Sequence, residues 1–160
     1  QRDDDVDRFY LLSVRQLKAS IEDIELSEKI GIKHPRDCLG YRLITKCIER
    51  VGDHAVRISR NVLKMDSGVS ADDPIFKMAD LSFKVFESSI GSMTEEDPQA
   101  INKIVVEAKK VSQFGVSLEP QDCNGSGNIE LSMILESLRR VSEYSADIAE
   151  VAINMSIRKF

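Results

Sequence analysis

Cysteine is scarce in this chain of 160 residues, and tryptophan is absent. The three cysteines, Cys38, Cys47 and Cys123, are odd in number and form no CxxC pair. This pattern argues against a disulfide framework and against a zinc site built from thiolates, and it fits a reducing, cytoplasmic location. No apolar run approaches the roughly 18 residues that a membrane span needs, and we expect no signal peptide. We therefore expect a cytoplasmic protein without membrane insertion.

An excess of positive charge is also missing, since 22 Lys and Arg residues face 27 Asp and Glu residues, for a formal net charge of -5. Binding to nucleic-acid phosphates requires a basic face, so we expect no direct nucleic-acid contact by this segment. The apolar content of 42% suffices for the core of a single domain spanning residues 1–160. Because the chain begins with Gln1 rather than Met, inside an acidic run, we also expect an upstream segment.

Strand patterns are missing as well, whereas helical periodicity is clear. Apolar residues separated by alternating steps of three and four predict five helices, and hence an all-α, antiparallel helix bundle. Asp73-Pro74 and Asp97-Pro98 each provide an N-cap carboxylate followed by a proline at the first helical position. The first helix is predicted before Gly31, where it is marked by Val6, Tyr10, Leu17, Ile21 and Ile24, the second from Arg36 to Met65, and a shorter one around residues 101–111. The predicted seams of the three clearest helices are 41, 44, 48, 51, 55, 58, 62 and 65; 76, 79, 83, 86, 90 and 93; and 131, 134, 138, 141, 145, 148, 152 and 155.

An internal repeat is visible when each residue is aligned with the residue 90 positions later. RLITKCIERVGDHAVRISRNVLKM, from Arg42, then pairs with SMILESLRRVSEYSADIAEVAINM, from Ser132. Shared helical register would align the apolar positions of two unrelated helices, but Arg50 also pairs with Arg140, which favours duplication. The prediction is an incomplete first repeat over 1–66 and a second over 67–160.

Two acidic pairs stand out in the first repeat. Glu49 and Asp53 lie four residues apart on one helical face, and Asp3 and Asp7 have the same spacing. Such carboxylates repel each other unless a cation lies between them, and their oxygens suit hard metal ions. The alternative is that these acids stabilise a helix N-terminus or, for Asp53, pair with Arg57 in an ordinary ion pair.

Catalytic patterns are missing from this region. A di-iron bundle enzyme would require a Glu-x-x-His pair, but Gly52 stands three residues after Glu49. His54 lies about 240° around the helix from Ile48, so we predict that it points away from the core. The sequence also lacks a Ser/His/Asp arrangement, a P-loop and a dinucleotide fingerprint.

The stretch IERVGDHAVRISRN, together with the preceding HPRDCLGYR and DDDVDRFYLL, resembles the PhoU family of phosphate-uptake regulators. The resemblance implies tandem three-helix bundles with an E/D-x-x-x-D motif in each repeat, here without the first helix. It also implies metal binding, with iron or zinc favoured and magnesium or manganese as further candidates. Asp3 and Asp7 fit the acidic pair of the family's second helix. The third-helix motif is matched by Glu49, Arg50, Asp53, His54 and Ala55, so the implied metal ligands are Asp3, Asp7, Glu49 and Asp53.

The second repeat departs from the family pattern. Arg139 occupies the position of Glu49, and Ala108 and Ser112 stand where a second acidic pair is expected. The guanidinium would oppose cation binding, so we predict a degenerate site there. Its remaining, weaker metal candidates are Glu143 and Asp147.

The resemblance predicts a non-enzymatic regulator of phosphate uptake and phosphate homeostasis that acts through a phosphate transporter or a signalling protein. The absent helix would leave one side of the helix at 36–65 uncovered, so we expect an upstream segment or a second subunit to cover it, and a homodimer is predicted. One alternative is the regulatory or dimerisation domain of a DNA-binding transcription factor, in which the acidic pairs are dispensable. A second alternative is a carboxylate-bridged metal enzyme.

Overall fold

The computed structural model describes residues 2–65, 73–118 and 128–157, and these residues form helices and connecting turns without any strand. For Arg2, Asp3 and Asn128 the description is limited to the backbone. The all-α prediction is confirmed. No helix in the described ranges is long and apolar enough to cross a membrane. The helices are α1 (Arg2–Glu22), α2 (Ile24–Lys29), α3 (Asp37–Val62), α4 (Pro74–Gly91), α5 (Pro98–Ser117) and α6 (Asn128–Ser156), with a 3-10 turn at Ser92–Thr94.

The described ranges contain six α-helices rather than the five predicted, because the first predicted helix is divided at Asp23. Asp23 has extended backbone angles, and its side chain accepts a hydrogen bond from the backbone N–H of Leu26 at 3.0 Å. This is an N-cap for α2, which aspartate favours over a helix interior. Of the apolar residues that mark this predicted helix, Ile21 and Ile24 are exposed, and Ile24 retains 79% of its accessible surface.

Both predicted Asp-Pro helix starts are confirmed. Asp73 accepts a hydrogen bond from the N–H of Ile75 at 3.0 Å, and Asp97 accepts one from the N–H of Gln99 at 2.9 Å. The prolines occupy the first helical position, where no backbone donor is needed. These caps fix where α4 and α5 begin.

The last helix, α6, is the centre of the bundle, because α3, α4 and α5 all pack against it. Most of its predicted seam is buried, and the core extends beyond that seam on both sides. Serines on this helix allow neighbouring helices to approach closely without leaving cavities. Its fully buried residues include Ile148, Ala149, Ser137, Ser142 and Ser145.

The predicted seam of α4 was right for Ala79, Phe86 and Ile90, which are partly buried against the core, and wrong for its other three members. Phe76 and Phe83 remain 49% and 60% exposed, and the buried stripe is displaced to neighbouring positions. Ser82 belongs to the buried stripe because its hydroxyl donates to the carbonyl of Leu138 on α6 at 3.3 Å. A search for apolar periodicity misses a face that is built partly from hydrogen-bonded serines. The buried stripe is Ile75, Met78, Ser82, Val85 and Ser89.

The first helix, α1, packs on α3 and runs antiparallel to it. Val6 lies against Gly52, where an added Cβ would be 3.3 Å from Val6 Cγ1, so a larger residue would press on α1. Further along, the ring of Tyr10 lies under the ammonium of Lys46, 4.9 Å from the ring centre. On the part of α3 that follows Gly52, the side chains of Ala55 and Val62 are exposed, although both residues belong to the predicted seam. Coverage of these residues by an upstream segment or another subunit stays a prediction.

Candidate metal centre

The antiparallel pairing of α1 and α3 brings together three of the four acidic residues that the sequence indicated. Asp7, Glu49 and Asp53 can each present one carboxylate oxygen such that the three oxygens lie within 4.8 Å of one another. Glu49 and Asp53 share one face of α3 because they are one helical turn apart. Asp7 comes from the facing turn of α1. The cluster therefore depends on helix packing and not on local sequence alone.

The fourth predicted ligand, Asp3, precedes Asp7 by one turn of α1. Its side chain lies outside the described residues. Its contribution to the cluster stays a prediction.

Glu49 is the most buried member of the cluster, with 12% of its side-chain surface exposed. Lys46 Nζ lies 2.5 Å from Glu49 Oε2, although this buried oxygen has no partner with hydrogen-bond geometry. Lys46 is also held over the ring of Tyr10. The ammonium therefore offsets part of the negative charge of the cluster.

The cluster is suited to a hard cation. It offers three carboxylates, and anionic oxygens are the ligands that Mg²⁺, Mn²⁺, Fe²⁺ and Zn²⁺ share. No histidine or cysteine joins these carboxylates in the part of the chain that the structure describes. The donor set therefore fits a metal ion but does not identify which one.

A family model described as the PhoU domain matches residues 1–62, which span α1 to α3. These residues belong to the PhoU family. The match includes all four predicted ligands, Asp3, Asp7, Glu49 and Asp53. It supports a role in phosphate-uptake regulation, and the PhoU family is regulatory rather than enzymatic. No curated protein and no solved structure gave a significant match.

Within this PhoU domain, the predicted orientation of His54 was wrong. His54 is half-buried between α3 and α6, and its ring lies 5.9 Å from the ring of Tyr144. Burial and the positive charge of Arg57 lower the pKa of His54, so the neutral imidazole is favoured. The error arose because α6 covers the side of α3 that carries His54, and a helical wheel of α3 alone cannot show that. His54 belongs to the helix interface rather than to the acidic cluster.

The corresponding place on α6 is occupied by an ion-pair network. Arg139 pairs through Nη1 with Glu143 and through Nη2 with Glu136, the latter at 2.6 Å. Arg140 also binds both glutamates, with N–O distances of 3.0 Å. Ser112 on α5 donates to Glu143 at 3.3 Å. Arg139 therefore presents a guanidinium at the position that aligns, 90 residues earlier, with the carboxylate of Glu49.

The two weaker metal candidates differ in their surroundings. Glu143 is engaged by Arg139, Arg140 and Ser112, whereas partial burial, followed by repulsion from nearby carboxylates, raises the pKa of Asp147. A raised pKa signals a carboxyl that lacks sufficient compensation. Metal binding by Glu143 and Asp147 stays a prediction.

Proposed function

We propose that the chain is a non-enzymatic, cytoplasmic regulator of phosphate uptake and phosphate homeostasis, whose PhoU domain holds a metal ion at Asp3, Asp7, Glu49 and Asp53. The observation that carries the metal assignment is the convergence of three carboxylates from two helices. The family match supports the regulatory role. Iron or zinc is favoured by the family resemblance, and magnesium or manganese would suit the same oxygen donors.

Bringing the carboxylates of the cluster together costs electrostatic free energy. Carboxylates a few ångströms apart repel each other, and burial of Glu49 strengthens the repulsion by lowering the local dielectric constant. Lys46 offsets only one charge. A divalent cation would convert the repulsion between Asp7 and the pair on α3 into attraction, and would thereby join α1 to α3.

The mechanism that we propose is organisation of a partner surface. The structure gives α1 extensive contact with α3 but leaves Phe9, Leu11 and Leu12 exposed. A metal ion that fixes α1 against α3 would also fix the surface that α1 presents to a phosphate transporter, a signalling protein or a second copy of the chain. Metal occupancy would then change affinity for the partner through the position of α1.

The test is a comparison of metal content in the purified chain and in the variant Glu49→Gln/Asp53→Asn, measured by elemental analysis. The matched control is Glu28→Gln/Glu87→Gln, which removes the same charge from exposed positions. We expect bound metal in the parent chain and the control, and its loss in the first variant. Equal metal content in all three proteins would contradict the site.

Two assays on the same samples separate the proposed regulator from the alternatives. Hydrolysis of a phosphate ester or oxidation of ferrous iron, lost in the Glu49→Gln/Asp53→Asn variant, would favour a metal enzyme. Unchanged partner binding and oligomeric state in that variant would favour a dimerisation domain whose acidic pairs are dispensable. The regulator predicts bound metal without turnover.

A further inference from the structure

A second site candidate lies beside the acidic cluster, in a groove between the C-terminal half of α3 and the N-terminal half of α6. Its volume is about 720 Å³, which falls within the range of pockets that hold small organic ligands. The groove is separate from the buried core because most of its lining side chains are exposed. From α3 it is lined by Val56, Arg57, Arg60, Asn61 and Lys64, with Asp53 at its edge, and from α6 by Ile129, Ser132, Met133 and Glu136.

The α3 wall of the groove is cationic. Arg57, Arg60 and Lys64 follow the spacing i, i+3 and i+7, which places them along one stripe of the helix. No ion pair of these three side chains with an acid is found within the described ranges 2–65, 73–118 and 128–157. This concentration of positive charge stands out in a chain whose net charge is -5.

The acid on the opposite wall does not cancel that charge. Glu136 accepts hydrogen bonds from Arg139 at 2.6 Å and 2.9 Å, and from Arg140 at 3.0 Å. Burial alone would raise the pKa of Glu136, but these bonds outweigh it and lower the pKa. Glu136 is therefore compensated on its own helix, and the three cations of α3 outnumber the one other acid in the lining, Asp53.

Apolar side chains complete the opposite wall. Ile129 and Met133 lie one turn apart on α6 and are each about half exposed, and Val56 faces the same space from α3. Apolar surface of this kind gains free energy when a ligand removes it from water. The groove therefore offers one side for an anionic group and another for an apolar one.

We propose that this groove binds a small organic phosphate, with its phosphate against Arg57, Arg60 and Lys64 and its apolar part against Ile129 and Met133. Guanidinium groups present forked donors that match phosphate oxygens, and a lysine adds a compact positive charge. Inorganic phosphate would fill only part of a groove of this volume. The proposal does not depend on metal at the acidic cluster, so it can be tested with a chelator present.

The test uses adenosine monophosphate and phenyl phosphate as ligands, titrated into the full chain by isothermal calorimetry in EDTA. The variant Arg60→Gln/Lys64→Gln removes two cations of the groove, and Lys18→Gln/Lys103→Gln removes two exposed cations of α1 and α5. We expect the first variant to weaken binding roughly tenfold or more, because two charge-assisted contacts are lost, and the second to leave it unchanged.

A second measurement examines the apolar wall. In methyl NMR spectra, both organic phosphates should shift the signals of Ile129 and Met133, and each should bind more tightly than inorganic phosphate. Met133→Gln should reduce that difference without reducing the affinity for inorganic phosphate. The proposal is overturned if neither ligand binds at roughly 1 mM, if the two double variants bind equally, or if inorganic phosphate binds as tightly as the organic phosphates. The proposed function is tested separately, by the metal content of the purified chain and its variants.

Discussion

Positions 49 and 139 differ in how the charges of nearby acidic side chains are compensated. On α3, Glu49 and Asp53 meet Asp7 from α1, and Glu49 pairs with Lys46. On α6, Arg139, which stands 90 residues after Glu49, pairs with Glu143. The proposed metal ion would compensate the acids of the first place, whereas the second place carries a cation in its own sequence.

The helices that face these two positions, α1 and α5, also differ in the charge of the side chain they supply. Asp7 adds a third carboxylate to the cluster on α3, while Ser112 donates a neutral hydrogen bond to Glu143 on α6. A guanidinium is permanently charged and covalently attached, so it needs no ligand concentration. We therefore expect the α1–α3 contact to respond to metal, and the α5–α6 contact to be independent of it.

Metal removal should have the largest effect on this difference. If the free ion is present at about 100 times its dissociation constant, binding stabilises the folded state by about 2.7 kcal/mol. Treatment with EDTA should therefore increase amide exchange in α1 and in the facing turns of α3, while exchange in α5 and the middle of α6 stays unchanged. Mass spectrometry of deuterium uptake measures both. Equal increases in the two regions would show that the metal does not act on the α1–α3 contact.

Removing the guanidinium of Arg139 should have the next largest effect on stability. Arg139→Met keeps most of the aliphatic side chain but leaves Glu136 and Glu143 without their closest partner. We expect a loss of about 1–2 kcal/mol in the free energy of unfolding, because the pair is only partly buried and solvent screens the remainder. Urea denaturation in EDTA measures it. The control is Lys84→Met, which breaks the exposed pair with Asp80 and should change stability much less, because solvent screens that pair.

The sequence allows the helix starts to be predicted but not every buried face. The caps at Asp73 and Asp97 follow from local chemistry, since an aspartate and a proline determine the first turn without help from other helices. The seam of α4 depends instead on its neighbours. Ser82 is buried because Leu138 offers a carbonyl, and no apolar count includes that hydroxyl.

In the acidic cluster, too, one part of the geometry follows from local sequence and another part from packing between helices. The spacing within each helix places Glu49 beside Asp53, but the approach of Asp7 depends on how α1 slides along α3. Val6 at Gly52 and Tyr10 at Lys46 fix that register, and both contacts join distant parts of the chain. His54 was misplaced for a related reason, since its burial depends on Tyr144 of α6. Sequence alone indicated the chemistry, whereas tertiary packing determined which groups meet.

The smallest effect should come from the one carboxyl of the α6 region that has too little compensation. Asp147 faces Glu150 and Glu143, which disfavour its ionisation, and Arg50 and Lys109, which favour it; together with burial, the balance raises its pKa above the ordinary value of 3.8. The folded state then holds the proton more tightly than the unfolded state, so this group's stabilising contribution is complete below about pH 3.8 and is lost as pH rises through the raised pKa. Asp147→Asn should therefore stabilise the protein slightly at pH 7, with only a small gain because solvent screens this exposed side chain, and with no gain below pH 3.8. Thermal denaturation from pH 3 to 8 with Glu107→Gln as the exposed control measures this difference, and a gain that grows toward acid pH would contradict it.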